Sequence, residues 1–275
     1  MNRKMLSMIT CIGISSLVCA QGAMPSLKAK EVRHDDIMWK KRVTRRLDLR
    51  IRQNLSFFAR DHEFSKLLIQ AVLDGRVTAY KNESLQSTLS KAEFIKRLLI
   101  PSVVDGSDDM SDCWDCEEED TLQEARDFSQ YSLETCYGGR DLYLMDLHED
   151  LFFDKRHSRM KWDSKSINLY LSADHPENLR KVDELIVSFD FKELERELFK
   201  DNPKAIYFNQ YNDAAHLNLS DAFQLRLFHS YIIKVSNPND EYLVDEYGGD
   251  PKTGRMASQW KAYEFLEFEH NLWEL

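Results

Sequence analysis

A pair of cysteines separated by two residues is the feature of this sequence best suited to chemistry. Cys113 and Cys116 form a Cys-x-x-Cys motif, and Cys136 follows downstream. Such a pair can form a redox-active disulfide in an oxidising compartment. A catalytic pair needs positive charge or a helix start beside its thiolate, whereas this pair lies in an acidic stretch, residues 105–120. We therefore predict that these cysteines supply a loop-tying disulfide, with thiol-redox activity of Cys113 and Cys116 as the alternative.

The other motifs that suggest an enzyme are incomplete. Residues 249–254 have the glycine spacing of a phosphate-binding loop, but Arg255 stands where that loop needs its lysine. His62 and His148 each precede a glutamate, as in zinc proteases, yet neither has a second histidine four residues later. The acidic stretch lacks the glycine-turned spacing of a calcium loop. The sequence thus predicts no catalytic residue, no cofactor-binding residue and no metal ligand.

The amino terminus has the pattern of a secretory signal. Arg3 and Lys4 precede an apolar stretch, and Val18-Cys19-Ala20 resembles a cleavage site. The stretch is too short and too polar for a membrane helix, which needs about 20 apolar residues. We expect residues 1–20 to be removed on export and the mature chain to have no membrane span. Export also excludes nucleic acid as a partner.

Composition and charge indicate a folded protein with a basic segment on an acidic body. The 43% hydrophobic residues, with only 9 Gly and 6 Pro, exclude fibrous and wholly disordered chains. From Lys28 to Arg52 there are ten basic and four acidic residues, whereas the whole chain has a net charge of -10. This segment either docks on an acidic partner or folds back on the acidic body of its own chain.

Hydrophobic periodicity predicts an α+β fold, an irregular mixture of amphipathic helices and short antiparallel strands. The predicted helices are residues 35–54, 64–75, a short helix from the Ser90 capping box to Pro101, and residues 191–199, 220–235 and 256–271. The predicted extended segments are residues 76–80, several between 141 and 171, and 205–208. We divide the chain into a leader (1–20), a basic helical region (21–104), an acidic cysteine-containing loop or insertion (105–136) and a carboxy-terminal α+β part (137–275).

Several segments together resemble the GldN family, also called PorN. They are DDIMWKKRVTRRLDLRIRQN (35–54), LLIQAVLDGRVTAY (67–80), LFFDKRHSRM (151–160), LSDAFQLRLFHSYIIKVSNPND (219–240) and LEFEHNLWEL (266–275). The similarity covers residues 32–104 and 141–275, in the order of the family. Its most specific part is the carboxy-terminal set, in which FHSYI, the SNP turn and EHNLWEL follow one another.

The resemblance implies a non-enzymatic, periplasmic component of the type IX secretion system of Bacteroidetes. Proteins of this family assemble into a ring with an outer-membrane lipoprotein, GldK or PorK, and contact the inner-membrane shaft protein, GldM or PorM. A soluble periplasmic ligand-binding protein is a further alternative, and it predicts a deep pocket with convergent polar groups. The candidate interaction residues are Trp39, Lys40, Lys41, Arg42, Arg45, Arg46 and Arg50 in the basic segment, and Trp260 and Trp273 in the last helix.

Overall fold

The structure is a computed structural model that describes residues 32–100, 136–200, 202–212 and 214–273. Its strands are β1 (Ile37–Asp48), β2 (Leu144–Asp154), β3 (Arg159–Leu171), β4 (Glu184–Asp190), β5 (Ile206–Tyr207), β6 (Leu217–Asn218) and β7 (Tyr231–Val235). Its α-helices are α1 (Phe64–Leu73), α2 (Lys91–Leu98), α3 (Phe191–Glu193), α4 (Leu219–Gln224), α5 (Leu243–Glu246) and α6 (Pro251–Trp273). Short 3₁₀ turns span His34–Asp36 and Arg52–Phe57, and a π-helical stretch, Leu194–Phe199, continues α3.

A five-stranded sheet in the order β4-β3-β2-β1-β7 is the centre of the fold. Every neighbouring pair in it is antiparallel. A separate pair, β5 and β6, is also antiparallel. The predicted α+β class is therefore confirmed. The leader, and Cys113 and Cys116 in the acidic segment, lie outside the described residues. The secretory signal and the disulfide of this cysteine pair therefore stay predictions.

The prediction of a helix over residues 35–54 is wrong, because most of this segment is strand β1. The apolar residues that suggested a helix, Ile37, Val43, Leu47 and Ile51, recur at position differences of six, four and four, which are all even. Even spacing fits the two-residue period of a strand as well as a helical stripe. Pairing decides between the two, because β1 lies between β2 and β7 and forms backbone hydrogen bonds with both.

The prediction of one helix over residues 220–235 is also wrong. Helix α4 ends at Gln224, and Arg226 has a left-handed backbone with φ 55° that turns the chain away. The side chain of Asn218, rather than Ser220, caps the helix by accepting a hydrogen bond from the Ser220 amide. The β-branched run in Tyr231–Val235 then pairs with β1 as β7. The apolar residues of this segment recur every four residues, and that spacing again fits both a helix and the two-residue period of a strand.

Several shorter predictions are confirmed. Helix α1 matches the segment 64–75, and the Ser90 capping box precedes α2 with both of its hydrogen bonds formed. Strands β2 and β3 occupy the predicted extended region, α3 with its π-helical continuation covers 191–199, and β5 lies within 205–208. Helix α6 includes the predicted 256–271 and extends beyond it at both ends. Residues 76–80 contain only an isolated bridge at Tyr80, so the predicted strand there is wrong.

Two hydrophobic clusters lie on the same face of the sheet. The main core packs one end of the sheet against α1, α2, the 191–199 helix and α4, and it draws residues from both sides of the acidic segment. Phe57, Phe64, Phe199 and Phe223 form its aromatic centre, with ring centroids 5.2 to 6.4 Å apart. The second cluster packs the other end of the sheet against α5 and α6, around Val43, Leu151, Ile232, Leu243 and Ala257.

Candidate functional site

The basic residues of β1 point alternately to the two faces of the sheet. Because successive side chains of a strand alternate, one face carries Trp39, Lys41, Val43, Arg45 and Leu47, and the other carries Lys40, Arg42, Thr44 and Arg46. The strand thus divides its cations between a face covered by α6 and a face with cross-strand acids.

On the face opposite α6, the cations pair with acidic residues of the same chain. Arg46 donates to both carboxylate oxygens of Asp146, at 2.8 and 2.9 Å, and also pairs with Asp183. Burial would lower the pKa of Arg46, but these carboxylates outweigh it and raise the pKa above its ordinary value. Lys40 lies 2.8 Å from Asp150. This geometry matches the alternative in which the basic segment folds back on its own acidic body.

Arg42 and Arg50 remain exposed, and Lys41 is partly exposed. Arg42 lies 3.6 Å from Asp150, and 68% of its side chain is exposed. Lys41 donates to the Ser236 carbonyl at 3.4 Å, and Arg50 pairs with Asp48 and stacks over Tyr143. Of the predicted basic contact residues, Lys41 and Arg42 are therefore better placed to reach another molecule than Arg45 or Arg46. Their role as contact residues stays a prediction.

Trp39 holds α6 against the sheet. Its ring centroid lies 4.8 Å from that of Phe268 and 6.1 Å from that of Phe265, both on α6. Trp162 of β3 meets Phe265 edge-on at 6.4 Å from the other side. The sequence predicted Trp39 as a contact residue, and the structure places it inside the joint between β1 and α6.

The opposite side of α6 carries an exposed apolar surface, which we call the α6 stripe: Met256, Trp260, Tyr263 and Leu266. These side chains are 71%, 68%, 69% and 61% exposed. At about 100° per residue they fall within about a third of the helix circumference, and they extend about 15 Å along the axis. Trp260, which the sequence predicted as an interaction residue, is thus part of an exposed apolar surface. Trp273 belongs to α6, but its side chain lies outside the described part of the chain.

A buried charged group, which we call the Glu149 cluster, separates the two hydrophobic clusters. Along this face of β2, Leu147 belongs to the main core and Leu151 to the second cluster, with Glu149 between them. Arg226 donates to both carboxylate oxygens of Glu149, at 2.7 and 3.0 Å. Arg45 Nε lies 3.2 Å from Glu149 Oε2 but is buried without hydrogen-bond geometry.

Two guanidinium groups therefore share one carboxylate. Both lie 4.5 Å from the centroid of the Trp162 ring. Burial, followed by repulsion from Arg226, lowers the pKa of Arg45 to about 10. Sequence reasoning missed this cluster because Arg226 comes from a turn that was predicted as helix. The only local signal was the charge of Glu149 in an otherwise apolar strand.

The incomplete enzyme motifs lie apart from one another. His148 and its neighbour Glu149 point to opposite faces of β2, where His148 meets Glu83 and Glu149 meets Arg226. Glu63 accepts a hydrogen bond from Arg140 at 2.8 Å. In the described part of the chain, no group of three His, Cys, Asp or Glu residues could hold a metal ion.

The glycine-spaced segment 249–254 runs into the first turn of α6. A side chain at Gly254 would collide with Val244 of α5, so this glycine allows α5 and α6 to pack closely. Cys136 is buried and pairs through its backbone with Leu99. Since its predicted disulfide partners are outside the described residues, the cysteine pairing stays a prediction.

Comparison with protein families decides the identity. The family model described as gliding motility associated protein GldN matches residues 32–274 of this chain. The chain belongs to the GldN family. Membership makes it a structural component of gliding-motility and type IX secretion machinery, and GldN is not a family of known enzymes. A search of the curated proteins found no match. Among the described residues, no helix of this GldN chain is long and apolar enough to cross a membrane.

Proposed function

We propose that this GldN chain is a non-enzymatic ring subunit in the periplasm. In this proposal it assembles with other copies and with an outer-membrane lipoprotein of the GldK or PorK type. That lipoprotein holds it at the inner face of the outer membrane. The chain also contacts the inner-membrane-anchored shaft protein of the GldM or PorM type. Family membership supports a place in this machinery.

The α6 stripe is the observation that carries this proposal. Trp260 and Tyr263 are each more than two-thirds exposed, and Met256 and Leu266 extend the same surface. Contiguous exposed apolar surface is typical of protein-binding sites, and aromatic side chains supply much of the energy at such interfaces. The contacts of Trp39 with Phe265 and Phe268 hold the helix that carries the stripe against the sheet.

A pull-down from envelope extracts tests the proposal. Tagged wild-type protein should elute in a large complex that contains a lipoprotein, and the double variant Trp260→Ser, Tyr263→Ser should lose that complex. Tyr211→Ser is the matched control, because Tyr211 is 97% exposed and lies away from α6. Circular dichroism should show that all variants keep the wild-type fold. Elution of the wild type as a monomer, or an unchanged complex in the double variant, would contradict the proposal.

The basic strand gives a second, separable test. The double variant Lys41→Glu, Arg42→Glu reverses the exposed Arg42 and its partly exposed neighbour Lys41, and it leaves the buried pairs of Arg45 and Arg46 intact. If these cations face an acidic partner, the complex should dissociate at a lower salt concentration than that of the wild type. The same salt dependence in both proteins would show that Lys41 and Arg42 are merely solvated.

A further inference from the structure

A cavity lined by two arginines lies beside the α6 stripe. It has a volume of about 290 Å³ and lies between the first residues of β7 and α6. Arg45, His229 and Arg255 line it, together with the amide of Gln259. No carboxylate is present among the described residues that line this cavity. A cavity with two arginines and no acid is suited to an anionic group.

Arg45 shares its carboxylate partner, Glu149, with Arg226. Glu149 accepts its two well-formed hydrogen bonds from Arg226, and Arg45 Nε remains buried without a hydrogen-bond partner. The Glu149 cluster thus has one cation more than it has anions. Because Arg45 also lines the cavity, an acceptor there would meet a guanidinium that shares its carboxylate with a second cation, and such an acceptor would be favoured.

The walls of the cavity fit a side chain that ends in a carboxylate. Ile51, Ile232 and Ala262 provide apolar surface for a short methylene stem. A guanidinium presents parallel donors that match the two oxygens of a carboxylate. The volume, 290 Å³, equals roughly ten waters at about 30 Å³ each, which is enough for one acidic side chain with its adjoining backbone.

The position of the cavity indicates the source of that side chain. At about 100° per residue, Arg255 and Gln259 lie about 80° and about 40° around the helix from the centre of the α6 stripe, so the rim of the cavity adjoins the stripe. A protein that covers the stripe would place its neighbouring residues over this rim. We propose that the cavity binds the side-chain carboxylate of an aspartate or glutamate from a protein that packs on the α6 stripe.

This inference deepens the proposed function and relies on it for the source of the carboxylate, but the carboxylate site is measurable in the isolated chain. The probe is a blocked glutamate, N-acetylglutamate N-methylamide, titrated into the ¹⁵N-labelled mature protein and followed by NMR. The blocked glutamine analogue and inorganic phosphate are titrated in parallel. We expect the glutamate probe to shift the Ser230 and Ile232 amides and the Arg45 Nε–H, and to bind about tenfold more tightly than the glutamine analogue.

Arg255→Gln is the decisive variant, because Arg255 is exposed on α6 and its replacement keeps a helix-compatible side chain. It should weaken binding of the glutamate probe about tenfold, the effect of losing one hydrogen bond to a charged group. Trp260→Ser, which alters only the stripe, should bind the probe like the wild type. Equal binding of the two blocked amino acids, tighter binding of phosphate at the same amides, or unchanged binding by Arg255→Gln would each overturn the carboxylate site.

The envelope pull-down separates this inference from the proposed function. Arg255→Gln should reduce recovery of the large complex, and Lys252→Gln, an exposed change on the same helix turn, should not. If the glutamate probe binds the wild type but Arg255→Gln leaves recovery of the large complex unchanged, the protein on the α6 stripe does not supply the carboxylate. The assignment of the carboxylate to that protein then fails. The probe binds the isolated chain whether or not the large complex forms, so failure of the proposed function and failure of the carboxylate site can be told apart.

Discussion

Glu149→Gln should be among the most destabilising conservative substitutions in this protein. The change keeps the size of the side chain but removes the one carboxylate between Arg45 and Arg226. The Glu149 side chain is only 1% exposed, whereas those of Arg45 and Arg226 are 14% and 27% exposed. Water therefore compensates poorly for the lost anion, and both guanidiniums remain in a confined space beside Trp162.

The expected magnitude follows from the geometry. Two unit charges 4 Å apart attract by about 4 kcal/mol at an effective dielectric constant of about 20. Two such attractions disappear, and relaxation of the partly exposed Arg226 toward water offsets part of the loss. Breaking a buried ion pair by removing one partner costs about 3–5 kcal/mol. We expect the free energy of unfolding to fall by about 4 kcal/mol.

Urea denaturation followed by tryptophan fluorescence measures this loss. Glu267→Gln is the matched control, because Glu267 is exposed on α6, and its effect should stay within about 0.5 kcal/mol. The double variant Glu149→Gln, Arg226→Met should recover part of the lost stability, because only one buried cation then remains without an anion. A cost below about 1 kcal/mol for Glu149→Gln would refute this account and show that the guanidiniums are effectively solvated.

Three further predictions concern the scaffold. Ser90→Ala removes the cap that accepts from the Glu93 amide at 3.3 Å, and it should lower the free energy of unfolding by about 1 kcal/mol in urea denaturation. Gly254→Ala would place a methyl group 3.3 Å from Val244 Cα and closer still to its side chain, so thermal unfolding should occur at a lower temperature despite the better helix propensity of alanine. Burial lowers the pKa of His148 from 6.5, so the unfolded chain binds more protons and stability should decline as the pH falls below about 6.5. Urea denaturation at pH 7 and pH 5 should show a smaller decline for His148→Gln than for the wild type, and an equal decline would contradict this reason.

The sequence predicted some elements correctly and missed others, and the difference lies in how local their determinants are. The Ser90 capping box and α1 depend on residues close in the chain, and both were predicted correctly. Residues 35–54 and 220–235 have apolar spacings that suit both a helix and a strand. Their strand parts, β1 and β7, pair with each other and so resolve the ambiguity only in the folded protein.

The candidate site divides in the same way. Trp260 was predicted as an interaction residue of the last helix, and 68% of it is exposed. Trp39 was predicted as a contact residue of the basic segment, yet it packs against Phe268 within the protein. Nothing local distinguishes these two tryptophans. Only the packing of α6 on β1 determines which one is covered.

By itself the sequence determined the family, the α+β class and the absence of a complete enzyme motif, because these depend on residue order and on short-range spacing. The tertiary structure decided which basic residues are already neutralised and where an excess positive charge remains. Arg45, Glu149 and Arg226 come from three distant parts of the chain. Long-range strand pairing and the left-handed turn at Arg226 bring them together, and no local pattern encodes that meeting.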